Sequence, residues 1–475
     1  MTKVLLIYNA QLLDESIDSL GAILIVNGKI RSIFQGYFSN LETLLPSVNE
    51  ILKDDGCNLS CSLDFFDAKG LVVTPSFIDM HVHLRDPGLT QKEDLDSGLH
   101  ACIAGGYGTV VAMPNTLPVI SDSGMALKNM SKAEHLGLAN MFQSVSITKD
   151  FDGRTVSHIK NLERRFVPLI TEDGHDVLSS AVMLEAMKIA AKKGIIVSCH
   201  CEDPELALAA KPHRKKALEI MKEYSLPAWG GDSSCKNIPE DALKDIEREL
   251  SCANSLLELA EDIATERNMC IAKQAGCHIH LCHVSTKKSI EYIRKAKKGF
   301  GEKSYEYISC EVTPHHLALE GTKEPNIRAL VNPPLRLKAD CNAIIDGILD
   351  GTVDVIATDH APHTLEDKAE GAPGFSGIET AFAVCNTVLV QTGKICSRKL
   401  SQLMSANAAR ILNLNKGLLK PGYDADITVL DPQENWTVDP SLFYSKGKAT
   451  PFEGKELAGK VKAVFINGQK LFENN

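Results

Sequence analysis

The sequence feature that most constrains the fold is an apolar run that ends in two alternating histidines. Residues 71–80 read LVVTPSFIDM and are followed by His81 and His83. Because side chains alternate along a strand, both imidazoles would point to one face. Such a run is typical of a buried parallel strand, and enzymes built on parallel sheets carry their chemistry at the carboxyl ends of the strands. The pair predicts a metal site, although alternating histidines also occur by chance on surface strands.

Apolar runs alternate with helix-like segments through the middle of the chain. This alternation predicts a (β/α)₈ barrel over residues 71–415. The eight candidate strands are residues 71–80, 109–113, 142–147, 167–171, 195–199, 278–282, 307–312 and 353–358.

Both ends of the chain are rich in short β-type segments. Residues 1–70 and 416–475 are expected to meet as one small composite β domain, and Asn27-Gly28 predicts a hairpin turn within it. Residues 38–66 and about 204–257 are polar and read as insertions, the second with its own helices. We interpret the second as a solvated elaboration, with a partner-docking surface as the alternative.

Composition narrows the classes of function. The formal net charge of −10 argues against a general nucleic-acid or anionic-membrane surface, since both partners favour basic faces. No apolar stretch approaches the roughly 20 residues that cross a bilayer. The 14 cysteines are scattered singly, which fits a reducing compartment better than a disulfide scaffold. A soluble cytoplasmic protein with a small-molecule substrate is therefore expected.

Potential metal ligands follow five of the predicted strands. Because the carboxyl ends of barrel strands meet at one mouth, these side chains would converge there. Imidazole and carboxylate groups suit zinc. The candidates are His81, His83, Asp173, His200, His283 and Asp359.

Three of these candidates have local alternatives. His278 and His280 share one strand face, whereas His283 is one residue out of phase and lies at the strand end. Glu172 competes with Asp173. Asp359 would also serve as an ordinary helix cap.

Several blocks of the chain resemble the dihydroorotases of the amidohydrolase superfamily. The resemblance runs from about residue 70 to 415, with a weaker match at both ends. The blocks are HVHLRDPG at 81–88, MPNTLP at 113–118, HCED at 200–203, HVST at 283–286, EVTPHH at 311–316, NPPLR at 332–336 and ATDHAPH at 357–363.

The resemblance implies one or two zinc ions, with two favoured. One ion would take His81, His83 and Asp359, the other His200 and His283. Many relatives bridge the metals with a carboxylated lysine on the fourth strand; this chain has none there, and the resemblance makes Asp173 the bridge. The implied activity is reversible hydrolysis of the cyclic amide of dihydroorotate to N-carbamoyl-aspartate, with Asp359 as general acid–base.

A substrate carboxylate requires a cation, and Arg85 is the candidate. Arg85 follows His83 by two residues, so we place both on the same strand face. There its guanidinium would bind a carboxylate in bidentate fashion. The alternative is a salt bridge with Asp86 or Glu93. Resemblance adds further substrate contacts from Asn115, Asn332, His363, Pro373 and Gly374.

Other readings of the chain stay open. A dihydropyrimidinase, hydantoinase or allantoinase would share the histidine pair, and a non-catalytic scaffold relative would share the fold. The resemblance also implies a homo-oligomer and leaves room for association with aspartate transcarbamoylase.

Two cysteines flank the candidate ligand His200. Strand alternation points Cys199 and Cys201 away from the metal, unless a twist after His200 lets Cys201 compete for it.

Overall fold

Strands and helices alternate along most of the chain. The computed structural model describes residues 3–38, 40–54, 63–223, 238–321 and 329–474. The strands are β1 Val4–Leu13, β2 Asp18–Val26, β3 Lys29–Gln35, β4 Leu63–Asp67, β5 Val72–Pro75, β6 Phe77–Val82, β7 Tyr107–Ala112, β8 Asn140–Gln143, β9 Val145–Ser146, β10 Leu169–Thr171, β11 Ile196–Cys199, β12 Ile279–Leu281, β13 Ile308–Val312, β14 Val355–Ile356, β15 Ile427–Thr437, β16 Glu456–Ile466 and β17 Gln469–Glu473.

The helices lie between the barrel strands and in the longer connections. Those in α conformation are α1 Leu45–Asp54, α2 Leu95–Ala104, α3 Ser123–Leu136, α4 Ser180–Lys193, α5 Pro204–Glu223, α6 Glu240–Ala275, α7 Lys287–Lys297, α8 Pro314–Ala318, α9 Lys338–Leu349, α10 Leu365–Ala369, α11 Ala381–Cys385, α12 Ser397–Ser401 and α13 Asn407–Leu412. In the described ranges, no helix combines the length and the apolar character needed to cross a membrane.

Eight parallel strands close into a barrel. They are β6, β7, the pair β8 and β9, and β10 to β14; β8 and β9 form one strand interrupted at Ser144. A parallel bridge between Val82 and His360 joins the last strand to the first. Nearly all strand residues are buried, because helices cover the outer face. The predicted barrel is confirmed.

Strands from both chain ends share one further sheet. Its order is β17-β16-β15-β5-β1-β2-β3, with β4 beside β1. The predicted hairpin is confirmed: Val26 pairs with Lys29, and Asn27 and Gly28 have φ of 50° and 76°. These positive values are those of the tight turn that suits twisted strands. The predicted small β domain is thus present, while its residue boundaries stay a prediction.

The apolar run at 71–80 is not one strand, and that prediction is wrong. Residues 72–75 pair with β1 and β15 in the terminal sheet, whereas 77–82 pair with β7 in the barrel. The chain changes sheet at Ser76, directly after Pro75, which has no N–H to continue a ladder. His81 therefore lies inside β6, and His83 follows its end.

The two polar segments contain regular structure. Residues 38–66 include α1, whose Val48 and Leu52 pack against the terminal sheet, and the start of β4. Residues 204–257 include α5 and the first half of α6, so the expected boundary at 257 falls inside a helix of 36 residues. Residues 39, 55–62 and 224–237 lie outside the described ranges.

Asp79 ties the first barrel strand to the last. Its side chain is fully buried, and Oδ1 accepts hydrogen bonds from the backbone N–H of His81 at 3.0 Å and of Thr358 at 3.1 Å. Oδ2 accepts from the Thr358 hydroxyl at 2.6 Å. Burial raises the pKa of Asp79 to about 7. These contacts hold the start of the 358–363 loop against β6.

We expect Asp79→Ala to destabilise the fold by about 3 kcal/mol, because three buried donors lose their acceptor. Urea unfolding followed by circular dichroism measures this. The matched control is Asp96→Ala on α2, whose side chain is 66% exposed; it should change stability by less than about 0.5 kcal/mol. Equal shifts for the two variants would contradict the role given to Asp79.

Candidate metal centre and adjoining pocket

Two histidines and two aspartates meet at the carboxyl ends of β6, β10 and β14. His81 Nε2 lies 3.1 Å from Asp173 Oδ1, and His83 Nε2 lies 3.1 Å from Asp359 Oδ1. The crossed distances are 3.4 Å from His83 Nε2 to Asp173 Oδ2 and 3.6 Å from His81 Nε2 to Asp359 Oδ1. All four side chains are buried or nearly so.

His200 and His283 lie on the other side of Asp173. His200 Nδ1 is 2.9 Å from His283 Nε2 and 3.6 Å from Asp173 Oδ1, and the rings of His81 and His283 are 5.2 Å apart. The structure thus brings all six predicted ligands together. Their role as ligands stays a proposal.

The contacts of His278 and His280 separate them from this cluster. His278 Nε2 lies 2.9 Å from the Ser309 hydroxyl, and His280 Nε2 lies 2.9 Å from Glu311. His278 directly precedes β12, His280 lies within it and His283 follows it; of the three, His283 is the one in contact with His200.

The donor set fits a divalent metal ion. Two groups of three ligand atoms, from His81–Asp173–His283 and from His81–His83–Asp359, each lie within 4.8 Å of one another. His81 Nδ1 is 2.8 Å from Glu311 Oε1, so a proton on Nδ1 leaves a lone pair on Nε2. That lone pair faces a carboxylate oxygen at 3.1 Å. Two lone pairs this close repel each other, so the pair needs a proton or a metal ion between the two atoms. Burial lowers the pKa of His81, but the charges of Asp173 and its other neighbours outweigh burial and raise it well above its usual value.

Glu172 and Asp173 point in opposite directions. Glu172 accepts hydrogen bonds from the backbone N–H of Thr148 at 2.9 Å and from the Thr148 hydroxyl, and burial raises its pKa to about 7. Asp173 faces the histidines. The geometry therefore favours Asp173 over its sequence neighbour.

Arg85 lies near the ligand cluster, but on the loop after β6 rather than on the strand itself. β6 ends at Val82 and Arg85 has φ of 58°, so the interpretation that it shares a strand face with His83 is wrong. Its buried guanidinium donates from Nε to the Pro362 carbonyl at 3.3 Å, and Nη2 lies 3.3 Å from His363 Nε2.

The alternative salt bridges of Arg85 are absent. Asp86 pairs with Lys132 at 3.2 Å, and Glu93 accepts from the Ser445 hydroxyl at 2.5 Å. Within the described part of the chain, no carboxylate forms an ion pair with Arg85. The Arg85 charge therefore has no carboxylate counter-ion among the described residues, a condition that binding of an external anion requires.

The other predicted substrate contacts surround Arg85 or the metal ligands. His363 Nε2 lies 2.9 Å from the Pro373 carbonyl oxygen, and Gly374 has φ of 110°. Asn332 accepts from Arg214 at 2.5 Å. Asn115 donates to Asp173 at 2.8 Å and lies 3.0 Å from His83 Nδ1, so it contacts the ligand cluster itself.

Strained backbone positions cluster at this mouth. Arg85, Cys201, His283 and Asp359 have φ of 58°, 41°, 32° and 50°. Non-glycine residues rarely adopt such values, which persist only where the surroundings enforce them. The turn at His283 rotates its ring into the site, although alternation along β12 would direct it elsewhere.

Cys201 points away from the ligand cluster. Burial raises the pKa of its thiol well above the usual value, and Thr265 of α6 is its hydrogen-bond partner. A buried thiol with a raised pKa is a poor metal ligand. Competition for the metal therefore has no support in this geometry.

Comparison with known proteins places this site in a family. A model of the family described as "Amidohydrolase family" matches residues 72–471. A dihydroorotase from Clostridium botulinum (strain Eklund 17B / Type B) is 38% identical over 466 residues, which are 98% of each chain. A dihydroorotase from Aquifex aeolicus (strain VF5) is 35% identical over 477 residues, 99% of each chain. The chain belongs to the amidohydrolase family.

Solved structures share the fold of this amidohydrolase. L-Hydantoinase (dihydropyrimidinase) from Arthrobacter aurescens superposes with a TM-score of 0.77 at 21% identity, covering 100% of this chain and 96% of that one. A D-hydantoinase superposes with a TM-score of 0.75 at 19% identity, covering 100% and 95%. At these identities the likeness concerns the fold alone.

Glu311 contacts His81 on the side away from Asp173, and the sequence analysis did not propose it as a site residue. It is fully buried on β13 and contacts His81 Nδ1 at 2.8 Å and His280 Nε2 at 2.9 Å. A carboxylate behind a ligating histidine fixes its tautomer and orientation. The available signal was an acidic residue inside the predicted strand 307–312.

The carboxylates of the site stay ionised. Burial alone would raise the pKa of Asp173, but His81 and His83 lower it well below its usual range. Burial is likewise outweighed at Asp359, where His83 and His81 lower the carboxyl pKa. Metal binding requires these groups as anions, so the two carboxylates need not lose a proton near neutral pH, whereas His81 and His200, whose pKa values are raised, would each release one.

We expect Asp173→Asn to weaken metal binding about tenfold or more, because the neutral amide no longer supplies an anionic donor. Glu172→Gln is the matched control, since it changes the neighbouring side chain that contacts Thr148; it should keep wild-type metal affinity. Competition with a chromogenic chelator measures both. Loss of metal in Glu172→Gln alone would reverse the assignment.

Proposed function

We propose that this amidohydrolase is a zinc-dependent dihydroorotase that reversibly hydrolyses the cyclic amide of dihydroorotate to N-carbamoyl-aspartate, a step of pyrimidine biosynthesis. The observation that carries the proposal is the buried Arg85, which lies close enough to Asp359 and Asp173 to feel their charges but forms no ion pair with any described carboxylate. Dihydroorotate is a cyclic amide with a ring carboxylate, and both features have a counterpart here. Relatives named dihydroorotase at 34–38% identity support the same substrate.

Zinc, with two ions favoured, would be held by His81, His83 and Asp359 on one side and by His200 and His283 on the other, with Asp173 between them. When bound, zinc supplies a water of lowered pKa and polarises the substrate carbonyl. The fit rests on the short ligand distances and on the buried Nε2 of His81, which faces Asp173 and has no hydrogen-bond partner among the described residues.

Asp359 is proposed as the general acid–base. Its low pKa keeps it a carboxylate that accepts a proton from the attacking water as oxygen adds to the ring carbonyl carbon. The C–N bond then breaks, and Asp359 returns the proton to the departing nitrogen. The ring-closing direction uses the same groups in reverse.

Arg85 is proposed to bind the ring carboxylate. Bidentate pairing of guanidinium and carboxylate fixes both position and orientation. His363 contacts Arg85 and the 373–374 turn, and burial lowers the pKa of His363 to about 3, so its imidazole stays neutral. Asn115, Asn332 and the main chain at Pro373 and Gly374 complete the proposed contacts.

A hydantoinase or dihydropyrimidinase is the second candidate, favoured by the fold likeness. Two residue-level features oppose it. The fourth strand carries Asp173 where those enzymes usually carry lysine, and their usual substrates lack the carboxylate that Arg85 would bind. A non-catalytic scaffold is opposed by the presence of a histidine or an aspartate at every expected ligand position.

The remaining proposals concern the setting of the enzyme. We infer a homo-oligomer in the cytoplasm, with association to aspartate transcarbamoylase as a further proposal. The eleven cysteines among the described residues are free thiols, which is consistent with a reducing compartment.

We expect the purified protein to hydrolyse dihydroorotate with kcat/KM at least about a hundredfold above that for dihydrouracil or allantoin, because a site built for a carboxylate rejects substrates without one. Chelation should abolish turnover, and zinc should restore it. Zinc content is determined alongside. Faster hydrolysis of dihydrouracil would support the hydantoinase alternative instead.

Arg85→Lys is expected to raise KM for dihydroorotate about tenfold or more, since an ammonium cannot form the bidentate pair. Steady-state kinetics with metal content held constant measures the effect. The exposed Arg154 provides the control variant Arg154→Lys, which should keep the wild-type KM. An unchanged KM in Arg85→Lys would remove Arg85 from the substrate site.

A further inference from the structure

Lys368 is a fully buried lysine that donates to three backbone carbonyls. It lies on α10 with 0% of its surface exposed. Its Nζ is 3.2 Å from the Leu330 oxygen, 2.7 Å from that of Ala372 and 2.8 Å from that of Gly374. One ammonium thus links the 330–332 segment to the 372–374 turn.

Arg214 holds the next two residues of the same segment. It lies on α5, in the polar insertion, and its Nη2 donates to the Val331 carbonyl at 3.0 Å. Its Nη1 donates to Asn332 Oδ1 at 2.5 Å. Three consecutive residues, 330 to 332, are therefore held by two cations from different helices.

Neither cation is in direct contact with a described carboxylate, although the charge of Glu202 acts on Arg214. In the described ranges, no ion pair to an acidic side chain involves Lys368 or Arg214. A buried ammonium without a counter-ion is costly, and two neighbouring cations repel each other. Stability alone does not explain this arrangement, whereas the oxygens they hold adjoin the proposed substrate contacts.

We propose that Lys368 and Arg214 are positioning residues that fix Asn332 and the Pro373–Gly374 turn for substrate binding. The inference rests on the proposed function, because these segments matter as dihydroorotate contacts. It also gives the insertion a role, since α5 supplies Arg214. The polar segment is then part of the binding machinery rather than a solvated elaboration.

The packing of α5 agrees with this role. A Cβ on Gly371 would lie only 2.8 Å from Leu218 of α5, so the helix and this loop are in close contact. Between them lies a cavity of about 290 Å³ that Glu202, Arg214, Asn332 and Pro373 help to line. The insertion helix thus forms one wall of a space that borders the proposed substrate contacts.

The proton on Lys368 gives the arrangement a pH dependence. Burial and the charge of Arg214 lower the pKa of Lys368 to about 7. Below that value the ammonium serves all three carbonyls, whereas the neutral amine has only two N–H donors. Other charged or titratable groups nearby are His363, Asp367, which pairs with Lys92, and Glu370, which pairs with Lys222; the charge of Glu202 reaches Arg214.

The test compares Lys368→Met, Arg214→Gln and Arg214→Lys with the wild type. We expect Lys368→Met and Arg214→Gln to raise KM for dihydroorotate about tenfold, with kcat within about threefold, because the metal ligands are untouched. The KM of Arg214→Lys should lie between those of the wild type and Arg214→Gln, since lysine retains the charge but cannot contact Val331 and Asn332 at once. The wild-type KM should rise above pH 7, and Lys368→Met should lose that rise.

Lys222→Met is the matched control. Lys222 lies on α5, as Arg214 does, and contacts Glu370 of the loop after α10. That contact is an exposed ion pair of 2.6 Å. Such a pair contributes little, so KM and its pH profile should equal those of the wild type.

Hydrogen–deuterium exchange supplies a readout without activity. Exchange of peptides covering 329–333 and 371–375 should accelerate in Lys368→Met and Arg214→Gln and stay unchanged in Lys222→Met. Absence of dihydroorotate turnover in the zinc-loaded wild type would overturn the proposed function. Wild-type turnover with unchanged KM, or unchanged exchange in the two variants, would overturn the positioning role alone.

Discussion

The contact on which most of the site depends is that between His81 Nε2 and the Asp173 carboxylate, 3.1 Å apart. The His81 Nδ1 contacts Glu311, and the His81 backbone N–H donates to Asp79. Asp79 in turn holds Thr358, the residue before Asp359. His81 therefore links β6 to β10 and β13, and Asp79 extends the connection to the segment after β14. A site fixed on strands in this way needs little rearrangement when the ion binds.

The loop that carries Arg85 depends on residues much later in the chain. Glu93 is fully buried and accepts hydrogen bonds from the Ser445 hydroxyl and from the Lys446 backbone N–H at 3.2 Å. Lys92, beside it, lies 3.5 Å from His363 Nδ1. The C-terminal segment thus anchors the loop that leads from β6 to α2. Long-range hydrogen bonds of this kind fix a cation in a pocket where no carboxylate would hold it.

The fold and the ligand set were accessible from sequence because they follow from local patterns. Strand periodicity gave the barrel, and residues at the strand ends gave all six ligand candidates. Arg85 and His283 show the limit: their side chains reach the site through positive φ angles that alternation does not contain. Arg214 shows another, since its contact with Asn332 spans 118 residues and joins an insertion to a loop. The sheet change at Ser76 escaped detection because both neighbouring strands are apolar.

That sheet change has a consequence for the shortest chain able to work. β5 lies between β1 and β15, which come from opposite ends of the protein. A single residue, Ser76, separates β5 from the strand that carries His81. Trimming either terminus would strip one neighbour from β5 and loosen the residues directly before the first ligand. The barrel is continuous in sequence, yet it is not an autonomous module: the ends of the chain brace the proposed metal centre.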